Sequence, residues 1–176
     1  MEDWSESRSP FLCSLPQLPS LGPKKREIGA YFAGILFSVA WWVFIDAIVL
    51  SSTISDLPVF IGFEDYISGI VCTIGMIIVN SIDLSILQGE NFSYSGSGLA
   101  GKARMMLFIG MAAMAGGVAG SVAILCIKYI VPGVPGAYIY FGVAPIVQNI
   151  TLLISCAVLW ISQNTESEAQ YNFVLN

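Results

Sequence analysis

The chain has 176 residues, 56% of them hydrophobic and 11% charged, with a mean hydropathy of +0.77; soluble domains carry about a quarter charged residues, so this composition reads as a membrane protein. Its net charge of −5 includes only seven Lys and Arg, too few for a basic stripe that would bind nucleic-acid phosphates. His is absent, which removes the commonest general base and metal ligand, and Cys13, Cys72, Cys126 and Cys156 fall at no zinc or disulfide spacing, so no catalytic, cofactor or metal site is expected.

Residues 1–27 hold Pro10, Pro16, Pro19 and Pro23 and end in Lys24, Lys25 and Arg26; they read as a flexible arm and lack the apolar core of a signal peptide. Four apolar runs follow, at 28–50, 66–82, 105–131 and 138–161. Each reaches or approaches the roughly 20 residues that cross about 30 Å of hydrocarbon as a helix. The second is the shortest, and "LPVFIGF" before it lies in the interface or extends the span. Residues 162–176 form an acidic tail. The expected fold is all-α, an integral membrane four-helix bundle.

Orientation follows the positive residues of the short flanks. With the N-terminus cytosolic, Arg8, Lys24, Lys25, Arg26, Lys102 and Arg104 collect inside and only Lys128 lies outside, so both termini are expected in the cytosol. The acidic 51–65 loop and the "PGVPG" turn then face the lumen or exterior. Of the two glycosylation patterns, Asn91-Phe-Ser93 falls in a cytosolic loop and Asn149-Ile-Thr151 inside the fourth span, so neither should carry glycan.

In the first span Asp46 interrupts "AWWVFIDAIVL". A carboxylate at the bilayer centre is expensive and by default functional. Residues 28–45 number 18, and at about 1.5 Å each they already cover roughly 27 Å, which moves Asp46 to the lumenal edge. Lys128, 23 residues after Met105 on the third span, reaches the same level, and an Asp46–Lys128 ion pair or shared hydrogen-bond cluster pinning helix one to helix three is expected. Trp41 and Trp42 fit an aromatic belt or packing surface beside it.

The glycine-rich "GSGLAGK" at 96–102 matches G-x-G-x-x-G, yet it follows no strand and opens a membrane helix, so a turn-rich cytosolic loop explains it better than a dinucleotide site. In the third span small residues recur every four positions, at Ala112, Gly116 and Gly120 and on an adjacent row at Ala113, Gly117 and Ser121. Such rows let backbones approach closely. Ala30, Gly34 and Ser38 repeat the device in the first span, which suggests that helices one and three meet or that one of them meets a partner protein. Gln148 and Asn149 sit near the midplane of the fourth span, where an unpaired amide is costly; a structural network with Ser38, Thr73 or the 116–117 backbone is the simpler reading, with a polar substrate path as its rival.

"GILFSVAWWVFIDAIVL", "GMIIVNSIDL", "GENFSYSGSGLAGKARMMLFIGMAAMAGGVAGSVAIL" and "VQNITLLISCAVLWISQNTE" together resemble the transmembrane protein 50 family, nearest to its fungal vacuolar-protein-sorting branch, over residues 27–173. The family's Trp and Asp of helix one match Trp42 and Asp46, its helix-two Asn matches Asn80, its Arg opening helix three matches Arg104, and its Gln-Asn pair matches Gln148 and Asn149. Lys128 fits the fungal branch better than animal members, and residues 1–26 have no match. The resemblance implies a non-enzymatic, multi-pass protein of endosome and vacuole membranes, with endoplasmic reticulum or Golgi as transit compartments. It also implies a complex with a small four-span partner of the vacuolar protein sorting protein 55 type, acting beside the multivesicular-body sorting machinery. The rival is a small channel, transporter or lipid-handling protein using Asp46, Gln148 and Asn149, although no inverted repeat supports it. A membrane enzyme built on Asp83 and Glu90 is weaker still, because juxtamembrane charge explains both.

Overall fold

A computed structural model describes residues 24–54, 58–82 and 97–174, with the side chains of 26–54, 58–82 and 101–163. Four long helices make up the fold: α1 (Lys24–Thr53), α2 (Phe63–Asn80), α3 (Ser97–Ile124) and α4 (Ile139–Val174). α3 runs on through a π-helical turn, Leu125–Ile130, and a 3-10 turn, Gly136–Tyr138, leads into α4. All four are long and apolar enough to cross a membrane. α1 begins inside the residues expected as an arm, and α4 continues through much of the expected tail.

α1 packs along α4, α2 along α3, and α2 meets α4 between the two pairs. Each pair meets along a seam spaced alternately four and three residues, the pattern that keeps two helices in register over many turns. On α1 the buried and half-buried positions at this spacing are Ala33, Phe37, Ala40, Phe44 and Ala47; on α4 they are Phe141, Pro145, Gln148, Leu152, Ser155, Leu159 and Ser162, of which Gln148 turns to Gly69 of α2. α2 offers Asp65, Ser68, Cys72, Gly75 and Val79, facing Gly110, Met114, Gly117 and Ser121 of α3. Hydroxyls tie the first pair: Ser155 donates to the Ala33 carbonyl at 2.8 Å and Ser162 to the Arg26 carbonyl at 3.1 Å. The Arg26 contact places the start of α1 beside the end of the fourth span, so both emerge at one end of the bundle, here the terminal end. The opposite end is called distal.

Glycine sets the spacing of the second pair. A Cβ on Gly75 would stand 2.7 Å from the Gly110 carbonyl oxygen, and one on Gly117 would stand 2.9 Å from the Ser68 carbonyl oxygen, so only glycine permits this backbone approach. The corresponding expectation that helices one and three meet through their small rows is corrected. α1 lies against α4, and among the described residues no atom beyond the local helix backbone comes within 4 Å of a Cβ built on Gly34 or Gly116. Ala30, Gly34 and Ser38, with Ala112 and Gly116, face outward, and a Gly120 Cβ would meet only Ser68 Cβ at 4.0 Å. The physical reason is register: a four-and-three seam buries Ala33, Ala40 and Ala47 on α1, and the every-fourth row drifts off that face.

Candidate functional site

At the distal end the sequence builds a helix start from glycine and acid. Gly62 is the N-cap of α2, and Asp65, three residues on, returns its carboxylate to the Gly62 N–H at 2.8 Å, half of a capping box. Glu64 and Asp65 both sit in the first turn, where the helix dipole favours negative charge. Lys128 reaches across from the π turn, its Nζ 2.7 Å from Asp65 Oδ2 and 2.6 Å from Glu64 Oε1. The three groups differ sharply in exposure: the Asp65 side chain is 0% exposed, Lys128 19% and Glu64 54%.

The π turn makes this reach possible. Its wider i→i+5 bonding, closed by Val131 N–H to the Cys126 carbonyl at 2.9 Å, inserts one residue into the helical repeat and turns Lys128 toward α2. Behind it the chain stops in a Schellman motif, with Val134 N–H to the Tyr129 carbonyl at 3.1 Å and Gly133 N–H to the Ile130 carbonyl at 3.0 Å; Gly133 supplies the positive φ of 71°. Tyr129 is buried against Ala47, Phe141 and Ala144, and Gly142 leaves room for its ring.

The expected Asp46–Lys128 ion pair is therefore corrected. Lys128 turns toward Glu64 and Asp65 of α2, and Asp46 instead accepts a hydrogen bond from the Tyr140 hydroxyl of α4 at 2.8 Å. Both partners are exposed, and Asp46 remains near the distal end of its helix. Trp42, one turn earlier, is 69% exposed on the outer face of α1, while Trp41 turns inward and meets Phe44 edge-on at 6.4 Å.

Deeper in the bundle a second polar centre joins three helices. Asn149 donates to the Gly117 carbonyl of α3 at 3.2 Å and to Ser68 Oγ of α2 at 3.3 Å. Ser68 in turn donates to the Asp65 carbonyl at 3.0 Å, which links this centre to the charged one. Gln148 lies over Gly69, where a Cβ would stand 2.8 Å from its Nε2, and neither of its amide atoms has a hydrogen-bond partner among the described residues. Ser38 and Thr73, expected at this level, instead bond back to their own helices at Gly34 and Gly69. Toward the terminal end Asn80 donates to the Met76 carbonyl at 2.9 Å and to Cys156 Sγ at 3.3 Å, and Arg104 is exposed near the start of α3.

Chemically this is a set of helix ties. Two carboxylates share one ammonium, and an amide bridges two helices through a hydroxyl and a carbonyl. Among the described residues no group of three or more His, Cys, Asp or Glu side chains could hold a metal ion. The sequence reading missed Glu64, Asp65, Ser68, Tyr129 and Tyr140. The signal for Asp65 was local: an acid three residues after a glycine at the head of an apolar run. Asp83, Glu90, Asn91 and Gly96 lie outside the described residues, and the expectation of a turn-rich loop is corrected for the rest of the glycine motif, since 97–102 form the first turns of α3.

Comparisons with known proteins agree with one another. Residues 9–169 match the family described as "Uncharacterised protein family (UPF0220)". A UPF0220 protein of Schizosaccharomyces pombe is 43% identical over 159 residues, covering 90% of this chain and 94% of its own length. Vacuolar protein sorting-associated protein 68 of Saccharomyces cerevisiae is 37% identical over 163 residues, covering 85% and 88% respectively. A transmembrane protein 50 homolog of Dictyostelium discoideum is 28% identical over 145 residues, 80% of this chain and 91% of that one. No solved structure matches. With the family matched over most of its length and these relatives aligned nearly end to end, the chain belongs to the UPF0220 family, close to vacuolar protein sorting-associated protein 68 and akin to transmembrane protein 50.

Proposed function

We propose that this chain is a non-enzymatic membrane component of late endosome-to-vacuole protein sorting, working in complex with a small four-span partner of the vacuolar protein sorting protein 55 type, with both termini in the cytosol. One observation carries the sorting role: near full-length similarity, at 37% identity, to a yeast protein named for vacuolar protein sorting. The geometry supports the assembly role. Most polar groups inside the bundle tie helix to helix, and two rows of small residues, on α1 and α3, face outward with open space beside Gly34 and Gly116. Apolar lipid offers no hydrophobic drive for helix association, so close backbone approach at such rows is how a partner helix gains contact.

The test is complementation. This chain should restore vacuolar delivery in budding yeast lacking the named relative, and gentle detergent purification should recover a stoichiometric small membrane protein with it. Failure of both, with the chain expressed and correctly membrane-inserted, refutes the proposal. The Gln148 amide, without a partner among the described residues, and the buried Asp65 favour one rival, a polar pathway through the bundle. Solute or ion flux through the lone reconstituted chain, abolished by Gln148→Leu, would establish that rival instead.

A further inference from the structure

Among the described residues α1 packs chiefly on α4, and Ala30, Gly34, Ser38, Trp42 and Asp46 are exposed along one ridge of it, four residues apart. That ridge is inclined to the helix axis, so a neighbour lying along it crosses α1 at a right-handed angle, the geometry of close small-residue contacts in membranes. The small residues alone do not say what covers them, but the last two members of the ridge do. Asp46 stands twenty residues after Arg26, roughly 30 Å at about 1.5 Å each, which is the full hydrocarbon thickness and sets it at the distal boundary. Its Oδ2 accepts the Tyr140 hydroxyl at 2.8 Å, which fixes the carboxylate, and among the described residues it meets no cation. Trp42, 69% exposed and one turn deeper on the same ridge, has its Cβ about 5–6 Å from that of Asp46.

Resting on the assembly role proposed above, we infer that this ridge receives a helix of the small membrane partner, and that this helix carries Lys or Arg at its distal end, the cation lying between the Asp46 carboxylate and the Trp42 indole. Ionisable groups in membrane helices pair with one another, and a carboxylate beside an exposed indole offers a cation both an ion pair and a cation–π contact. Arg suits both at once, since its flat guanidinium stacks on the ring while its fork meets the carboxylate. A lipid ammonium would satisfy the same two groups but gains nothing at Gly34, where among the described residues no atom beyond the local helix backbone lies within 4 Å of a built Cβ; a second helix gains close backbone contact there. A second copy of this chain, meeting α1 ridge to ridge, brings another Asp46 carboxylate in place of a cation.

The experiment expresses the full chain in budding yeast lacking the named relative, purifies it in gentle detergent and quantifies the co-purified small membrane protein per chain. Asp46→Asn should lower that ratio about tenfold and Asp46→Lys to background, while Asp46→Glu keeps it; Tyr140→Phe, which frees the carboxylate from its tie, should lower it about threefold. Melting of each variant chain alone should stay close to wild type, because the Asp46–Tyr140 contact is exposed. A photocrosslinker at Val49, exposed one turn beyond Asp46, should map to a partner helix within one turn of a Lys or Arg. Exchanging that residue for Asp should restore the complex with Asp46→Lys, a rescue that excludes a folding defect in the variant. Undiminished recovery with Asp46→Lys overturns the proposal and leaves the assembly role standing, whereas recovery of no partner by wild type overturns both. Crosslinks from Val49 to phospholipid alone, to a second copy of the chain, or to a partner helix without Lys or Arg near the contact also overturn it.

Discussion

Lys128→Met isolates the charged centre. It leaves Asp65, whose side chain is 0% exposed, with a single hydrogen-bond partner, the Gly62 N–H at 2.8 Å. Removing one member of a buried ion pair costs roughly 3–5 kcal/mol, and the surviving cap bond together with the partial exposure of Lys128 places the expected loss near the low end, about 3 kcal/mol. Glu64 is 54% exposed, so Glu64→Gln should cost about 1 kcal/mol or less although its contact with Lys128 is the shorter of the two. Replacing both buried partners removes the uncompensated charge. The double variant Lys128→Met with Asp65→Leu should therefore recover about 2 kcal/mol, the remaining deficit being the lost helix cap. Graded unfolding of the full chain in mixed micelles, followed by the fluorescence of Trp41, Trp42 and Trp160, reads all four proteins. A Lys128→Met loss no larger than that of Glu64→Gln, or a double variant no better than the single, would refute the argument.

Other expectations follow from the same geometry. Asp46→Asn and Tyr140→Phe should each cost about 1 kcal/mol or less, without adding to each other and adding fully to Lys128→Met, because the Asp46–Tyr140 contact is exposed and separate; coupling of Asp46 to Lys128 in a double-mutant cycle would contradict it. Gly117→Val should lose roughly 2 kcal/mol or more by driving α2 from α3, whereas Gly116→Val, one residue away, should leave the isolated chain within about 0.5 kcal/mol of wild type; similar melting shifts in the two would refute the assigned faces. Gln148→Leu should be neutral or stabilising by about 1 kcal/mol, since no partner is orphaned, while Asn149→Leu should destabilise by about 1–2 kcal/mol; the opposite ranking in micelle unfolding would show that Gln148 holds a partner.

Much of the architecture was legible because lipid demands so much of a sequence. Four apolar runs, the distal position of Asp46 and the Asn149 amide near the Gly117 backbone all follow from counting residues at a fixed helical rise. Two things were not. The pairing of helices depends on which face turns inward, and the every-fourth rows drew attention from the four-and-three seams that hold the bundle. Those seams were present in the letters, as Ala33, Ala40 and Ala47 or Gly110 and Gly117 at intervals of seven. The partner of Lys128 was illegible for a different reason. A π turn shifts the helical phase by one residue, and nothing in "LCIKYI" announces it, so a count that placed Lys128 at the right depth gave no means of knowing its direction.

The two outward rows gain meaning from where their helices lie. α1 packs chiefly on α4, and α3 on α2 and α4, so each row lies on the outward side of its helix, while α2 and α4 bury their small and polar positions inside the bundle. A helix facing only lipid has no use for Gly34 or Gly116, since glycine weakens a helix interior by roughly 1 kcal/mol relative to alanine and gains nothing in packing when its surroundings are open. Trp42 sharpens the point on α1, because a large aromatic 69% exposed beside Ser38 gives one outward face both a close-approach row and an anchor. If the partner docks on α1, then Gly34→Leu and Trp42→Ala should each abolish co-purification of the small membrane partner while leaving unfolding of the chain unchanged, and Gly116→Leu should not. If Gly116→Leu alone breaks the complex, the partner sits on α3. Retention of the partner by all three variants would remove the outward rows from the assembly and leave their glycines without a structural reason.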